Sequence, residues 1–236
     1  MNYSTDLSII TWLEIDEERI YNSPQRRVAD VLPDIFSAYT ALLPAVGIIE
    51  GFPFEQINIC KSTIAQINTN ASIWKQYGVF SAHQTPDYKL TKFSDLAVQF
   101  GVTYDANVIK RLEWGTQGFA VKWEQTASNL LLLLRELAQC ATLNLYVVDY
   151  YRYEAIEVLP SSDQVVYSVT IEEFISLLSA TSFDTTLYLF PDDRSWCLIN
   201  VEDGDYPILG TSRELGEALG SKSSIEMFPL SPESNV

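Results

Sequence analysis

The amino-acid sequence predicts an α+β protein in which a mixed or antiparallel sheet is flanked by helices. Three features lead to this fold class. Short segments rich in β-branched and aromatic residues are typical of strands. Other segments carry apolar residues at helical spacing between capping residues. The last part of the chain holds alternating strands and turns followed by a helix. With 236 residues, 47% of them hydrophobic, the chain can bury a core in one large domain or two small ones.

The first hundred residues predict one strand, one extended segment and two helices. Residues 8–15, SIITWLEI, alternate in polarity and predict a strand. Residues 27–43 carry apolar side chains at helical spacing and predict a helix, in which Pro33 is either a break or a helix start. Residues 51–60, GFPFEQINIC, favour an extended conformation. Ser94 is the expected N-cap of a short helix that ends at Gly101.

The middle of the chain predicts a strand, a long helix and further strands. Residues 113–126 form a glycine-containing turn followed by a strand. Thr126 or Ser128 is then expected to cap a helix that continues to about Ala141. Residues 143–158, LNLYVVDYYRYEAIEV, are rich in β-branched and aromatic residues and predict one long or two short strands.

The C-terminal part carries the clearest local signals. Thr170 and Glu173 form the capping box of a helix. The segments TTLYLF, WCLINV and YPIL are separated by the acidic turns DDRS and EDGD and predict a three-strand meander. Thr211 and Glu214 are expected to cap a closing helix that ends near Gly220. The last nine residues, FPLSPESNV, are expected to be a mobile tail.

The domain organisation is predicted as two α+β lobes, residues 1–125 and residues 126–236. No linker composition marks the boundary, so a single continuous domain remains an alternative.

The charge balance narrows the classes of partner. The formal net charge is −16, so the field of the protein repels phosphate backbones and anionic lipid surfaces. This excludes nucleic acid and membranes as expected partners and favours a basic protein, although acidic charge also serves solubility. No apolar run approaches the ~20 residues of a membrane span, and the N-terminal segment lacks the basic region of a secretory signal. We therefore expect a cytoplasmic protein.

The cysteines and the single histidine offer no assignable chemistry. Cys60, Cys140 and Cys197 are widely separated in apolar surroundings, which favours buried, reduced thiols over disulfides or a zinc site. His83 lies in a polar segment that predicts a loop. The sequence contains neither a G-x-S-x-G nucleophile motif nor a phosphate-binding glycine loop. We assign no catalytic residue, metal or cofactor, although a hydrolase that uses a pair of carboxylates remains an alternative.

Two groups of side chains are candidates for partner binding. Four acidic residues lie in the two turns of the meander: Asp192, Asp193, Glu202 and Asp205. Strand WCLINV separates the turns by roughly 20 Å, too far for the acids to share one metal ion. Three tyrosines lie within the segment 143–158 that predicts one or two strands, and tyrosine is enriched at interfaces: Tyr150, Tyr151 and Tyr153. The competing interpretations are a solvated hairpin for the acids and a sheet core for the tyrosines.

The C-terminal segment LYLFPDDRSWCLINVEDGDYPILGTSRELGEALG resembles the C-terminal part of small bacterial immunity-type proteins of toxin-immunity loci. The shared pattern is a strand, an acidic turn, a W-C-L-I strand, a second acidic turn, a strand and a G-T-S-x-E-L helix. The resemblance implies a cytoplasmic stoichiometric inhibitor whose acidic surface mimics the anionic substrate of a basic toxin, often a nuclease. The alternative among binding proteins is a regulatory or housekeeping role.

Overall fold

The structure is a computed structural model that describes residues 1–23, 26–58, 63–79, 86–112, 118–138, 140–148, 159, 164–181, 183–220 and 224–236. The chain forms two compact units, which we call the sheet unit (residues 1–44 and 123–236) and the small unit (residues 45–122). This division differs from the boundary near residue 125 that the sequence indicated, because the first 44 residues pack with the C-terminal part of the chain.

The strands, in chain order, are β1 (Asn2–Ser4), β2 (Ala38–Leu43), β3 (Val46–Ile49), β4 (Tyr88–Thr91), β5 (Phe119–Val121), β6 (Leu143–Val147), β7 (Val166–Val169), β8 (Leu187–Phe190), β9 (Trp196–Asn200), β10 (Ile208–Thr211) and β11 (Glu226–Leu230). The α-helices are α1 (Glu17–Asn22), α2 (Val28–Val31), α3 (Ile64–Gln76), α4 (Phe93–Phe100), α5 (Val108–Arg111), α6 (Trp123–Leu137), α7 (Ile171–Ala180) and α8 (Arg213–Gly220). Among the described residues, 3-10 helices cover Leu7–Leu13 and Phe54–Gln56.

The sheet unit contains an eight-stranded sheet in the order β1-β7-β6-β8-β9-β10-β2-β11. All of its strand pairs are antiparallel. The predicted α+β fold class is therefore confirmed, as is the meander β8-β9-β10 followed by a helix. Every residue of these three strands is buried. The meander is thus the centre of the core, and only its turns reach solvent.

The meander is buried because both faces of the sheet are covered. On one face, Leu134 of α6 and Phe174 of α7 pack in one hydrophobic cluster with Leu198 of β9. On the other face, the Tyr188 hydroxyl donates a hydrogen bond to the Val31 carbonyl oxygen at 2.8 Å. The ring of Trp12 also packs edge-on against Phe190, at 5.1 Å between centroids. The N-terminal segment therefore serves as the second covering layer.

Gly210 lets this covering layer approach the sheet. A Cβ atom at this position in β10 would lie 2.5 Å from Cδ2 of Phe36, far inside normal van der Waals contact. Phe36 is buried and packs edge-on against Trp12 and Tyr39. Glycine is therefore required here for close packing of a ring on the sheet.

The small unit has a three-stranded antiparallel sheet in the order β4-β3-β5. Its buried cluster combines Ile49 of β3 and Ile73 of α3 with Phe52, Ile57 and Val79. The α4 helix ends as predicted at Gly101, which adopts the left-handed conformation with φ 64°. Its N-cap is Lys92 instead of the predicted Ser94.

Two predictions for the N-terminal segment are wrong. Residues 8–15 do not form a strand, since Leu7–Leu13 is a 3-10 helix that begins where the Asp6 carboxylate accepts a hydrogen bond from the Ser8 amide. Residues 27–43 do not form one helix. Only Val28–Val31 is helical, and Ala38–Leu43 becomes β2. Pro33 cannot continue a helix that starts before it, and β2 is held by pairing with β10 and β11.

Further boundaries differ from their predictions. The α6 helix begins at Trp123, before either predicted cap, and ends at Leu137. Thr211 belongs to β10, and the amide of Leu215 hydrogen-bonds to the hydroxyl of Ser212 at the start of α8. The predicted extended segment 51–60 is interrupted by Phe54–Gln56, and residues 59 and 60 lie outside the described residues.

The C-terminal residues are ordered into the sheet instead of forming a mobile tail. Phe228, Pro229 and Leu230 lie in β11, which pairs with β2. The capping box of Thr170 and Glu173 is confirmed, with both reciprocal hydrogen bonds present. The strand predicted within residues 143–158 is confirmed for Leu143–Val147, and residues 149–158 lie outside the described part. No described helix has the length and apolar character to cross a membrane.

Candidate partner-binding groove

The net negative charge of the chain lies in one of its two units. The sheet unit contains eight Lys and Arg against 25 Asp and Glu, a net charge of −17. The small unit contains seven Lys and Arg against six Asp and Glu, a net charge of +1. A surface that attracts a basic partner is therefore expected on the sheet unit.

The sheet unit contains a groove of about 490 Å³ beside the β8–β9 turn. It is lined by Glu136, Leu137 and Cys140 at and after the end of α6, by Pro191, Asp192, Asp193 and Ser195 of the turn, and by Trp196 and Leu215. Two of the acids that the sequence predicted for partner binding thus lie together in a concave surface with a third acid from a helix. We call this surface the acidic groove.

The β8–β9 turn holds its two carboxylates in defined positions. The Arg194 amide donates to the Pro191 carbonyl oxygen at 3.0 Å, and Arg194 adopts a positive φ of 56°. Such a turn followed by one left-handed residue matches the right-handed twist of paired strands. The Asp192 carboxylate accepts a hydrogen bond from the Asn144 side-chain amide at 2.7 Å. Asp193 accepts one from the Ser195 amide at 3.0 Å.

The electrostatics of the acidic groove favour a cation as occupant. Hydrogen bonds from the side chain and the backbone amide of Ser195 lower the pKa of Asp193, so this carboxylate stays ionised at neutral pH. Among the described residues, Glu136, Asp192 and Asp193 form no ion pair. Their negative charge is therefore not compensated by a described cation of the same chain.

The lining of the acidic groove also includes four apolar residues, Leu137, Pro191, Trp196 and Leu215, of which Leu215 is the most exposed. Lysine and arginine side chains bury their aliphatic stems against apolar surface while the charged end remains beside acids or water. A carboxylate rim around an apolar lining is therefore a suitable receptor for a basic side chain.

The other two predicted acids do not belong to the acidic groove. Glu202 and Asp205 follow β9, whereas Asp192 and Asp193 precede it, and the five residues of β9 separate the turns by roughly 17 Å at ~3.3 Å per residue. Glu202 and Asp205 instead act on Arg26. Burial lowers the pKa of this half-buried guanidinium, and the charges of Asp203, Asp205 and Glu202 oppose that shift. These acids offset a cation of their own chain.

The remaining predicted residues have different outcomes. Tyr150, Tyr151 and Tyr153 lie outside the described residues, as do Cys60 and His83. Cys197 is buried as predicted, and its burial raises the pKa of its thiol well above the ordinary value. Cys140 is exposed, so the prediction that it is buried is wrong. It lies three residues after the last residue of α6.

Glu136 and Asn144 were missed by the sequence analysis. Both meet the β8–β9 turn through long-range packing, and no spacing within the sequence connects a helix end with a turn about 50 residues further on. The signal that the sequence offered was an acidic residue, Glu136, between Leu134 and Leu137, which the structure shows to be buried residues of α6.

Among the described residues, no group of three His, Cys, Asp or Glu side chains is arranged to hold a metal ion. Comparisons with known proteins add no relative: no protein-family model, no curated protein and no solved structure matches the chain.

Proposed function

We propose that this chain is a protein-binding protein whose acidic groove receives a basic segment of its partner. The observation that carries the proposal is the convergence of Glu136, Asp192 and Asp193 on one concave surface with apolar lining. The concentration of the net charge of −17 in the same unit supports it further, because such a field accelerates the encounter with a basic partner.

In its specific form, the proposal is an immunity-type function in which the chain neutralises a basic, nuclease-like toxin by stoichiometric binding. A cytoplasmic location belongs to this form. The cytoplasmic location is supported by the exposed, free thiol of Cys140, since free thiols persist in reducing compartments. A regulatory partner with a basic segment would use the same groove.

The lowered pKa of Asp193 makes this residue unsuitable as the proton donor of a carboxylate-pair hydrolase. A carboxylate-pair hydrolase needs one carboxyl group whose pKa is raised, so that it holds a proton for the leaving group. The hydrogen bonds from Ser195 shift the pKa of Asp193 in the opposite direction. A permanently ionised carboxylate is suited to holding a cation.

The groove can be tested with isosteric neutralisation. The groove variant carries Glu136→Gln, Asp192→Asn and Asp193→Asn, and the new amides retain the acceptor oxygens that Asn144 and Ser195 use. The control variant carries Asp34→Asn, Glu124→Gln and Glu217→Gln, three exposed acids of the sheet unit that do not line the groove. Both variants lose three negative charges, so general electrostatic attraction changes equally.

A short peptide of alternating arginine and leucine serves as the probe, and its affinity is measured by calorimetric titration. We expect the groove variant to bind about tenfold or more weakly than the unmodified protein, because charge-assisted hydrogen bonds are lost. The control variant should stay within about threefold, the size expected for distant screened charges. Equal weakening in both variants would contradict the proposal. A partner copurified from the native host should show the same order of affinities.

A further inference from the structure

A second cavity lies within the small unit and has a different character from the acidic groove. Its volume is about 470 Å³, and its lining includes Phe52, Phe54, Phe100 and Phe119 together with Arg111 and Glu55. This volume falls in the range of ~300–1,000 Å³ that is typical of small-molecule sites. We call it the phenylalanine pocket.

The four rings of the phenylalanine pocket form one packed aromatic group. Phe54 stacks on Phe119 at 5.8 Å between centroids and meets Phe100 edge-on at 4.8 Å. Phe52 meets Phe54 edge-on at 4.9 Å. A Cβ atom on Gly118 would lie 2.3 Å from Phe54 and 2.5 Å from Phe52, so the glycine is what lets these rings lie against the backbone. The pocket therefore presents ring faces and edges to an aromatic occupant.

Arg111 is held in place at this pocket by contacts from one side. Its Nη1 atom donates to the Thr103 carbonyl oxygen at 3.1 Å and also to the Asp105 carboxylate. The same Asp105 oxygen accepts a hydrogen bond from the Asn107 amide at 2.8 Å. The guanidinium is thus oriented by a carboxylate that is itself fixed by the backbone, and its hydrogen bond to Asp105 raises the pKa of Arg111.

Two donor atoms of the guanidinium have no partner among the residues that the structure describes. These atoms are Nε and Nη2 of Arg111. The side chain is 38% exposed. The two planar donor edges of a guanidinium match the two oxygens of a carboxylate.

Glu55 carries the opposite charge, and among the described ion pairs Arg111 bonds to Asp105 and not to Glu55. A second carboxylate near the pocket disfavours ligands with two negative charges, such as a phosphate dianion. The small unit as a whole carries a net charge of only +1. Among the described lining residues Arg111 is the cation that a ligand can pair with, so a ligand with no more than one negative charge can be accommodated.

We infer that the phenylalanine pocket binds a small aromatic monocarboxylate, with its ring among the phenylalanine side chains and its carboxylate on Arg111. The site is separate from the acidic groove, so the inference does not depend on the proposed function.

Three probes that share a phenylethyl group and carry a negative, a neutral or a positive polar end test this inference on the full chain: 3-phenylpropionate, 3-phenylpropionamide and 2-phenylethylamine. Binding is measured by saturation-transfer NMR and calorimetric titration. We expect 3-phenylpropionate to bind about tenfold or more tightly than its amide, since the amide loses the charge-assisted pair with Arg111. The amine should bind more weakly than the amide. This comparison needs no substitution and so does not depend on the folding of a variant.

Three variants locate the effect. Arg111→Gln should abolish the preference for the acid over the amide. Glu55→Gln should leave the affinity for the acid unchanged or strengthen it, because a repelling charge is removed. Lys75→Gln is the matched control, as it removes one positive charge from an exposed position of the same unit outside the pocket lining. It should keep the preference for the acid.

The inference is overturned if 3-phenylpropionate shows no saturable binding up to about 10 mM, where even a ligand worth ~3 kcal/mol would register. Equal affinity for the acid and the amide would also overturn it. So would a loss of the acid preference in Lys75→Gln as large as in Arg111→Gln, since the attraction would then be a general effect of charge.

Discussion

Replacement of Gly210 by alanine tests whether the N-terminal segment packs on the sheet as the structure shows. The added Cβ atom would lie 2.5 Å, 2.9 Å and 3.0 Å from three atoms of the Phe36 ring. All three distances are shorter than ordinary carbon–carbon contacts. Phe36 has little room to move, since it is 7% exposed and packs between Trp12 and Tyr39. We expect Gly210→Ala to lower the free energy of unfolding by about 1–3 kcal/mol, the usual cost of overpacking.

A double-mutant cycle with Phe36→Ala separates this clash from other effects of alanine in a strand. Phe36→Ala alone should lower the free energy of unfolding by about 3–5 kcal/mol, because it leaves a cavity in place of the buried ring. With the ring removed, the alanine at position 210 meets no obstacle from Phe36 and should be neutral or stabilising by about 0.5–1 kcal/mol, the normal advantage of alanine over glycine within a strand. The expected coupling between the two sites is therefore about 1–4 kcal/mol.

The free energies can be measured by urea unfolding followed by far-UV circular dichroism, fitted with a separate transition for each compact unit. The reasoning would be refuted if Gly210→Ala cost the same in both backgrounds, because the penalty would then not come from Phe36. A stabilising effect of Gly210→Ala in the unmodified protein would refute it as well.

Three further predictions concern the central strand of the meander, its two turns and the capping box. Trp196→Ala should lower the free energy of unfolding by about 3–5 kcal/mol in urea titrations, because the indole is 1% exposed in the central strand. The double variant Asp192→Lys, Asp193→Lys should change the free energy of unfolding by less than about 1 kcal/mol. The double variant Glu202→Lys, Asp205→Lys should lower it by roughly 1–3 kcal/mol, because it places positive charge beside half-buried Arg26. Equal effects of the two double variants would contradict this reasoning. The Met1 ammonium and then the Thr170 amide lower the pKa of Glu173, so its contribution is present above the unfolded pKa of ~4.3 and is lost as the pH falls through the folded value. Glu173→Gln should therefore flatten the acid side of the stability–pH curve, by no more than about 1 kcal/mol for a partly exposed group; an unchanged curve would contradict the assignment.

The parts of the fold that the sequence predicted correctly are those defined by neighbouring residues. The meander was visible because each strand is bounded by Asp- and Gly-containing turns. The capping box at Thr170 and the left-handed stop at Gly101 depend on the chemistry of three or four adjacent residues. Such signals do not require any knowledge of what the segment packs against.

The failures arise where long-range pairing decides the conformation. Residues 38–43 fit a helical apolar pattern, yet they form a strand because β10 and β11 satisfy their backbone groups. Residues 8–15 alternate in polarity like a strand, but Leu7–Leu13 forms a 3-10 helix that contributes buried Ile10 and Leu13 to the covering layer. Neither outcome is encoded within the segment itself, because tertiary contacts override local pattern.

The candidate site was predicted in part for the same reason. Asp192 and Asp193 stood out as turn acids, and the structure places them in the acidic groove. The sequence grouped them with Glu202 and Asp205 because all four lie in acidic turns of one meander. An antiparallel strand puts its two turns at opposite ends, and only the structure shows which acids share a surface with Glu136.

The two acidic turns show why net charge alone does not identify a partner-binding surface. Both turns are rich in carboxylates, and both contribute to the same negative field. At the β9–β10 turn the carboxylates face Arg26, so part of their charge stabilises a guanidinium that burial would otherwise disfavour. At the β8–β9 turn the carboxylates are held by the neutral donors Asn144 and Ser195. Neutral donors fix the position of a carboxylate without cancelling its charge, and that combination leaves the acidic groove able to attract and orient a cation from another molecule.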